Sequence, residues 1–179
     1  MRPRPRCPVM QAEADYSFPP LTRSDYARMR GWLDQPHVRA WWGDPDTEIA
    51  LIDADIDGDT ADLRLVAYQG RPFAYVQDYP AHHDPMPQYA EFPPGTRAMD
   101  TFLGDPGMLG QGHAARYLNL RAADLRRRYP AVVIDPDPSN ERAVRAYRRA
   151  GFRAIRTTTG ETGKPVLVMA FDPTFPSLW

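Results

Sequence analysis

Between Met108 and Arg128 the sequence reads MLGQGHAARYLNLRAADLRRR, so that a glycine-containing turn opens directly into a long amphipathic helix. The first N–H groups of a helix lack intrahelical partners, and the aligned peptide dipoles add partial positive charge there, so such a helix head attracts phosphate. Gly110 and Gly112 leave the backbone open to a ligand. A lone G-x-G turn is equally an ordinary loop. A phosphate cradle also needs a strand before it and a strand-helix unit after it, and the sequence offers both, Thr96 to Leu103 and Ala131 to Gly151. A chain built this way alternates strand and helix around the turn.

The 179 residues suffice for one domain with a core that needs no staple. Lys and Arg (22) balance Asp and Glu (23), giving a net charge of -1. Nothing in that balance points to nucleic acid or to a membrane surface as partner. Cys7 has no second cysteine to pair with, which suits a reducing, cytoplasmic compartment. Residues 1–15 read as a flexible leader that is basic but lacks the apolar run of a signal peptide, and no stretch reaches the length of a membrane span. Residues 16–179 are then a single domain, monomeric or homodimeric.

Tyr16 to Leu21 reads as a short strand. Ser24 is a candidate N-cap for a helix through Leu33, with Tyr26, Met29, Trp32 and Leu33 at helical spacing. A second helix after Pro36 carries Val38, Trp41 and Trp42 and stops at Gly43. Adjacent tryptophans cannot both face one core stripe, so they either pack together at a helix end or place one ring in a cleft. The acidic stretch 44–59 reads as a solvated helix end and turn. Its Asp53-x-Asp55-x-Asp57-Gly58 begins like a calcium loop, but Arg64 stands where the closing glutamate belongs, so no calcium site is expected. Leu63 to Tyr68 and Phe73 to Tyr79 make a hairpin across Gln69-Gly70.

The connection 80–94, with His82, His83, Asp84 and Glu91, is long enough to be a substrate flap. Its histidine pair lacks a third ligand at metal spacing. Asp100 sits mid-strand in an apolar run. Ala131 to Ile134 reads as a strand buried on both faces, Ser139 or Asn140 caps a helix that Gly151 ends, and Phe152 to Thr158 closes with Val166 to Phe171 across a loop holding Glu161. The fold class expected is α+β, with a central mixed, mostly antiparallel sheet flanked by helices.

Gly110-Gln111-Gly112-His113-Ala114 and the block Asn140-x-x-Ala143-x-x-x-Tyr147-x-x-x-Gly151-Phe152 resemble the GNAT acetyltransferase superfamily over about residues 16–172. More closely, Trp41-Trp42-Gly43, Ala74 to Tyr79, Ala98 to Leu103 and Asp135 to Ala143 look like the aminoglycoside 6'-N-acetyltransferases. Leu109 departs from the superfamily pattern, where Gln or Arg is usual. The resemblance implies a GNAT fold, acetyl-CoA as cofactor, and acetylation of the 6'-amino group by direct attack through a tetrahedral intermediate, conferring antibiotic resistance. A lysine or hydroxylysine N-acyltransferase of siderophore assembly and a non-catalytic acyl-CoA sensor stay open as alternatives. The siderophore group typically carries histidine where Asp100 stands.

The chemistry asks for parts that are present. An alkyl ammonium with a pKa of about 10.4 must lose a proton before it attacks a thioester. Asp100 can accept it directly or through water; otherwise it is an aspartate bonded to backbone at a bulge. The leaving thiolate gains from a proton, for which the resemblance offers Tyr147, otherwise a core aromatic. It further places Gln111, Gly112, His113, Ala114 and Ala115 around the pyrophosphate with Gly110, and Thr101, Phe102, Leu103, Asn140, Ala143 and Tyr147 along the coenzyme arm. An aminoglycoside or another polyamine carries several ammonium groups, so Asp78, Glu91, Asp100, Asp135 and Glu161 are expected to converge with Trp41 and Trp42 on one substrate cleft.

Overall fold

A computed structural model describes residues 15–174; the expected leader and Cys7 otherwise lie outside the described residues. Strands β1 (Tyr16–Ser17), β2 (Asp62–Tyr68), β3 (Arg71–Pro80), β4 (Arg97–Leu103), β5 (Val132–Ile134), β6 (Phe152–Thr159) and β7 (Pro165–Phe171) form a single sheet in the order β1-β2-β3-β4-β5-β7-β6. Only β4 and β5 run parallel. A parallel pair needs a crossover, and the helix that follows the glycine turn provides it.

Helices α1 (Tyr26–Leu33), α2 (Pro36–Trp42) and α3 (Pro45–Asp55) cover one face of the sheet, burying Met29, Leu33, Val38, Ile49 and Ile52 against Leu65, Tyr75 and Phe102. Helices α4 (His113–Arg126) and α5 (Glu141–Ala150) cover the other. There Leu118, Ala122 and Leu125, at helical spacing, pack with Tyr147 on Val76, Met99 and Val132. Each large apolar side chain so buried contributes roughly 1.5–3 kcal/mol.

Two elements differ from expectation. The stretch read as a solvated helix end and turn is the three-turn helix α3. Asp44 caps it by accepting from the Thr47 N–H, Pro45 occupies its first turn, and Ile49 and Ile52 fix it to the sheet. Its trailing acids answer a cation from the chain itself, since Arg23 pairs with both Asp53 and Asp57. Helix α1 is entered not from Ser24 but from a capping box between Thr22 and Asp25.

β4 and β5 pair only at Arg97–Val132 and Ala98–Val133. Past that point β5 ends at Ile134 while β4 continues to Leu103. The sheet is split there, with Asp100 on one lip and Asp135 on the other.

Candidate active site

A cleft of about 740 Å³ runs through this split, from α2 and α3 on one side to α5 on the other. Gly110 and Gly112 both line it with left-handed backbone, φ 77° and 80°. A side chain would be strained at either position. Gly112 is the N-cap of α4, and no side chain caps that helix, so its first N–H groups remain available to a ligand. The His113 ring turns away into an aromatic nest with Tyr16, Tyr68 and Phe73, and its Nδ1 is hydrogen-bonded to the Tyr16 hydroxyl at 2.6 Å. Burial, then the nearby Arg116, lowers its pKa, so the imidazole seats the turn rather than supplying charge.

Ala114, Ala115, Asn140, Ala143 and Tyr147 line the same cleft, as do Thr101, Phe102 and Leu103. Gln111 does not; its side-chain amide donates to the Gly107 carbonyl and braces the turn. The Asn140 side chain accepts from the Ala143 N–H and caps α5.

Strand alternation sends Asp100 and Phe102 to the face covered by α1–α3. There Gln77, opposite Asp100 in register, donates from Nε2 to Oδ2 at 3.0 Å, and the Tyr75 hydroxyl holds the Gln77 oxygen at 2.7 Å. Burial raises the Asp100 pKa, against the pull of hydrogen bonds from Gln77 and Tyr79. Asp135 is pushed up to about 7 by burial and then by the charge of Asp100. Gln88, reaching in from the β3–β4 connection, donates to it at 3.1 Å. Glu161 joins them from the β6–β7 connection. Trp42 packs edge-on against Phe102, while Trp41 stays 46% exposed at the mouth. Both rings line the cleft, Trp42 while packed against the core.

The Thr101 hydroxyl donates to the Tyr75 carbonyl at 2.5 Å, so it can only accept from the Tyr117 hydroxyl at 2.7 Å. The Tyr117 proton is thereby committed. Tyr147 has no such partner among the described residues, and burial holds its phenol protonated.

Two expected substrate residues lie elsewhere. Alternation turns Asp78 to the opposite face from Gln77, where it is 1% exposed and bound by Arg97 of β4 and Arg121 of α4. Glu91 is turned outward and pairs with Arg156 of β6. The site instead gains Glu48 and Gln77. Sequence reasoning misses Glu48 because it does not find helix α3, although Asp44-Pro45 is a usable start signal. Strand parity with Tyr75 is the signal that identifies Gln77.

Residues 22–159 match the family model described as an acetyltransferase (GNAT) domain. The chain belongs to the GNAT acetyltransferase family. It is 28% identical over 160 residues to the aminoglycoside N(6')-acetyltransferase type 1 of Klebsiella pneumoniae, covering 83% of this chain and 79% of that protein. With the N(6)-hydroxylysine O-acetyltransferase of Escherichia coli the identity is 23%, over 82% of this chain and 49% of the relative. The structure of AAC(6')-Ib in complex with paromomycin and acetyl-CoA superposes with a TM-score of 0.77 at 26% identity, covering 88% of this chain and 93% of that one. GNAT acetyltransferases use acetyl-CoA, and the GNAT cleft here fits a polyphosphate at one end: beside the uncapped α4 head stand Arg142, Arg145 and Arg149 of α5. Of these only Arg145 has an acidic partner, Glu141, among the described residues.

Proposed function

We propose that this protein transfers the acetyl group of acetyl-CoA to the 6'-amino group of an aminoglycoside, and that it confers resistance by doing so. The observation that carries this reading is the unpaired charge of the cleft. Asp53, Asp62, Asp78, Asp105, Asp124 and Asp172 each meet an arginine. Glu48, Asp100, Asp135 and Glu161, all lining the cleft, meet none among the described residues. Glu48, Asp100 and Asp135 are partly buried and Glu161 is exposed beside them; buried carboxylates without counter-ions are costly, and a substrate carrying several ammonium groups supplies the missing cations. The opposite end has the reverse imbalance and suits the phosphates of the coenzyme.

When bound, acetyl-CoA supplies the acetyl thioester. Asp100, held by Gln77, orients the amine and accepts its proton at a carboxylate oxygen. Tyr147 retains its phenolic proton and gives it up at Oη to the leaving sulfur. Gly110, Gly112 and the first turn of α4 hold the pyrophosphate through backbone N–H groups.

The test is release of coenzyme thiol by purified protein given acetyl-CoA and either kanamycin or tobramycin. Aminoglycoside-dependent release is expected. Turnover of lysine or hydroxylysine with none of any aminoglycoside overturns the reading, and so does coenzyme binding without turnover of any amine.

A further inference from the structure

Nothing in the sequence assigns Glu48 a functional role, and its setting in the fold gives it one. It lies on α3, which rests on the sheet face to which Asp100 points, and both side chains line the cleft. Ile49, beside it, is buried in the core and anchors the backbone that carries it. The Glu48 carboxyl is half-buried and has no cationic or hydrogen-bonding partner among the described residues. Trp41 and Leu51, the latter 58% exposed, line the cleft on the same side and give the Glu48 wall an apolar surface. Burial and then the charges of Asp100 and Asp44 raise its pKa. Like charges brought together by α3 and β4 oppose folding unless something positive comes between them.

Resting on the aminoglycoside reading above, we propose that Glu48 is a substrate-recognition residue, clamping the ammonium of the incoming amine from α3 while Asp100 engages it from β4. Both carboxylates hold the ammonium as it binds; Asp100 then takes one proton, and the neutral amine that attacks still donates to the Glu48 carboxylate, which itself gains no proton. The two residues therefore divide binding from turnover, and kinetics can separate them.

Steady-state kinetics and calorimetry with tobramycin on wild type, Glu48→Gln, Glu48→Asp and Asp100→Asn test this. Glu48→Gln is expected to raise the tobramycin KM and Kd about tenfold, the scale of a single ammonium–carboxylate pair, with kcat within about twofold. Glu48→Asp recovers part of that affinity, and the acetyl-CoA KM stays unchanged in both. Asp100→Asn shows the opposite pattern, a kcat loss of roughly a hundredfold or more. An unchanged tobramycin KM and Kd in Glu48→Gln, with wild type active, overturns the clamp alone. A parallel rise in the acetyl-CoA KM overturns it too, by reducing Glu48 to a structural residue. Wild type inert toward every amine removes the aminoglycoside reading and the clamp with it.

Discussion

Asp135 ties the site to pH. Its carboxyl is raised to about 7 because the ionised form is desolvated and faces Asp100. Between the ordinary carboxylate value near 4 and about 7, the folded protein holds a proton that the unfolded chain has lost, so Asp135 makes stability fall as pH rises through that window. Binding of a cation works the other way, because only ionised Asp135 attracts an ammonium. The aminoglycoside KM is therefore expected to fall as pH rises through about 7, and Asp135→Asn to flatten that limb of the profile and raise KM at pH 8. A wild-type KM that is flat from pH 6 to 8 contradicts this. Asp100→Ala removes the proton acceptor, and a drop in kcat of two or more orders of magnitude is expected. Tyr147→Phe keeps the buried ring while deleting the acid, so kcat falls by roughly tenfold or more with little change in thermal midpoint.

The strands and helices were mostly legible, and the failures have physical causes. The hairpin, the buried strand after Tyr129-Pro130 and the helix closed by Gly151 stand where periodicity and turn residues put them. Helix α3 was obscured because its polar face is nearly all acid and only Ile49 and Ile52 mark the buried side. Asp78 shows the limit of reading charge without register, for a shift of one residue along β3 exchanges the cleft for the core. In place of substrate it joins β3 to β4 and α4 through Arg97 and Arg121, with side chains 2%, 11% and 7% exposed. Asp78→Ala leaves Arg97 without a carboxylate among the described residues and Arg121 with Asp62 as its remaining close one, and a loss of roughly 3–5 kcal/mol is expected in denaturant titration. The KM values of the protein that remains folded should not move, and a selective rise in the aminoglycoside KM would return Asp78 to the substrate site.

Across the whole molecule a net charge of -1 conceals a division that composition cannot report. Exposed acids on the helices and loops are largely answered by arginines, while among the described residues the cleft holds Glu48, Asp100, Asp135, Asp137 and Glu161 with no arginine partner and Arg142 and Arg149 of α5 with no acidic one. Those arginines recur at helical spacing, but only the packing of α5 beside α4 shows that Arg142 and Arg149 line the same cleft as Gly110 and Gly112. The two sets can be altered separately, because the carboxylates belong to α3, β4 and the connections after β5 and β6 and the arginines to α5. The double variant Arg142→Ala, Arg149→Ala is therefore expected to raise the acetyl-CoA KM by roughly tenfold, leaving the tobramycin KM within about twofold. Raising ionic strength from about 0.05 to 0.5 M shortens the screening length at both ends, so in wild type both KM values climb together. In the double variant the acetyl-CoA KM loses most of its salt dependence, because of the three α5 arginines only Arg145, already paired with Glu141, remains. If that dependence survives intact, the coenzyme phosphates are held by the α4 head alone and α5 plays no part.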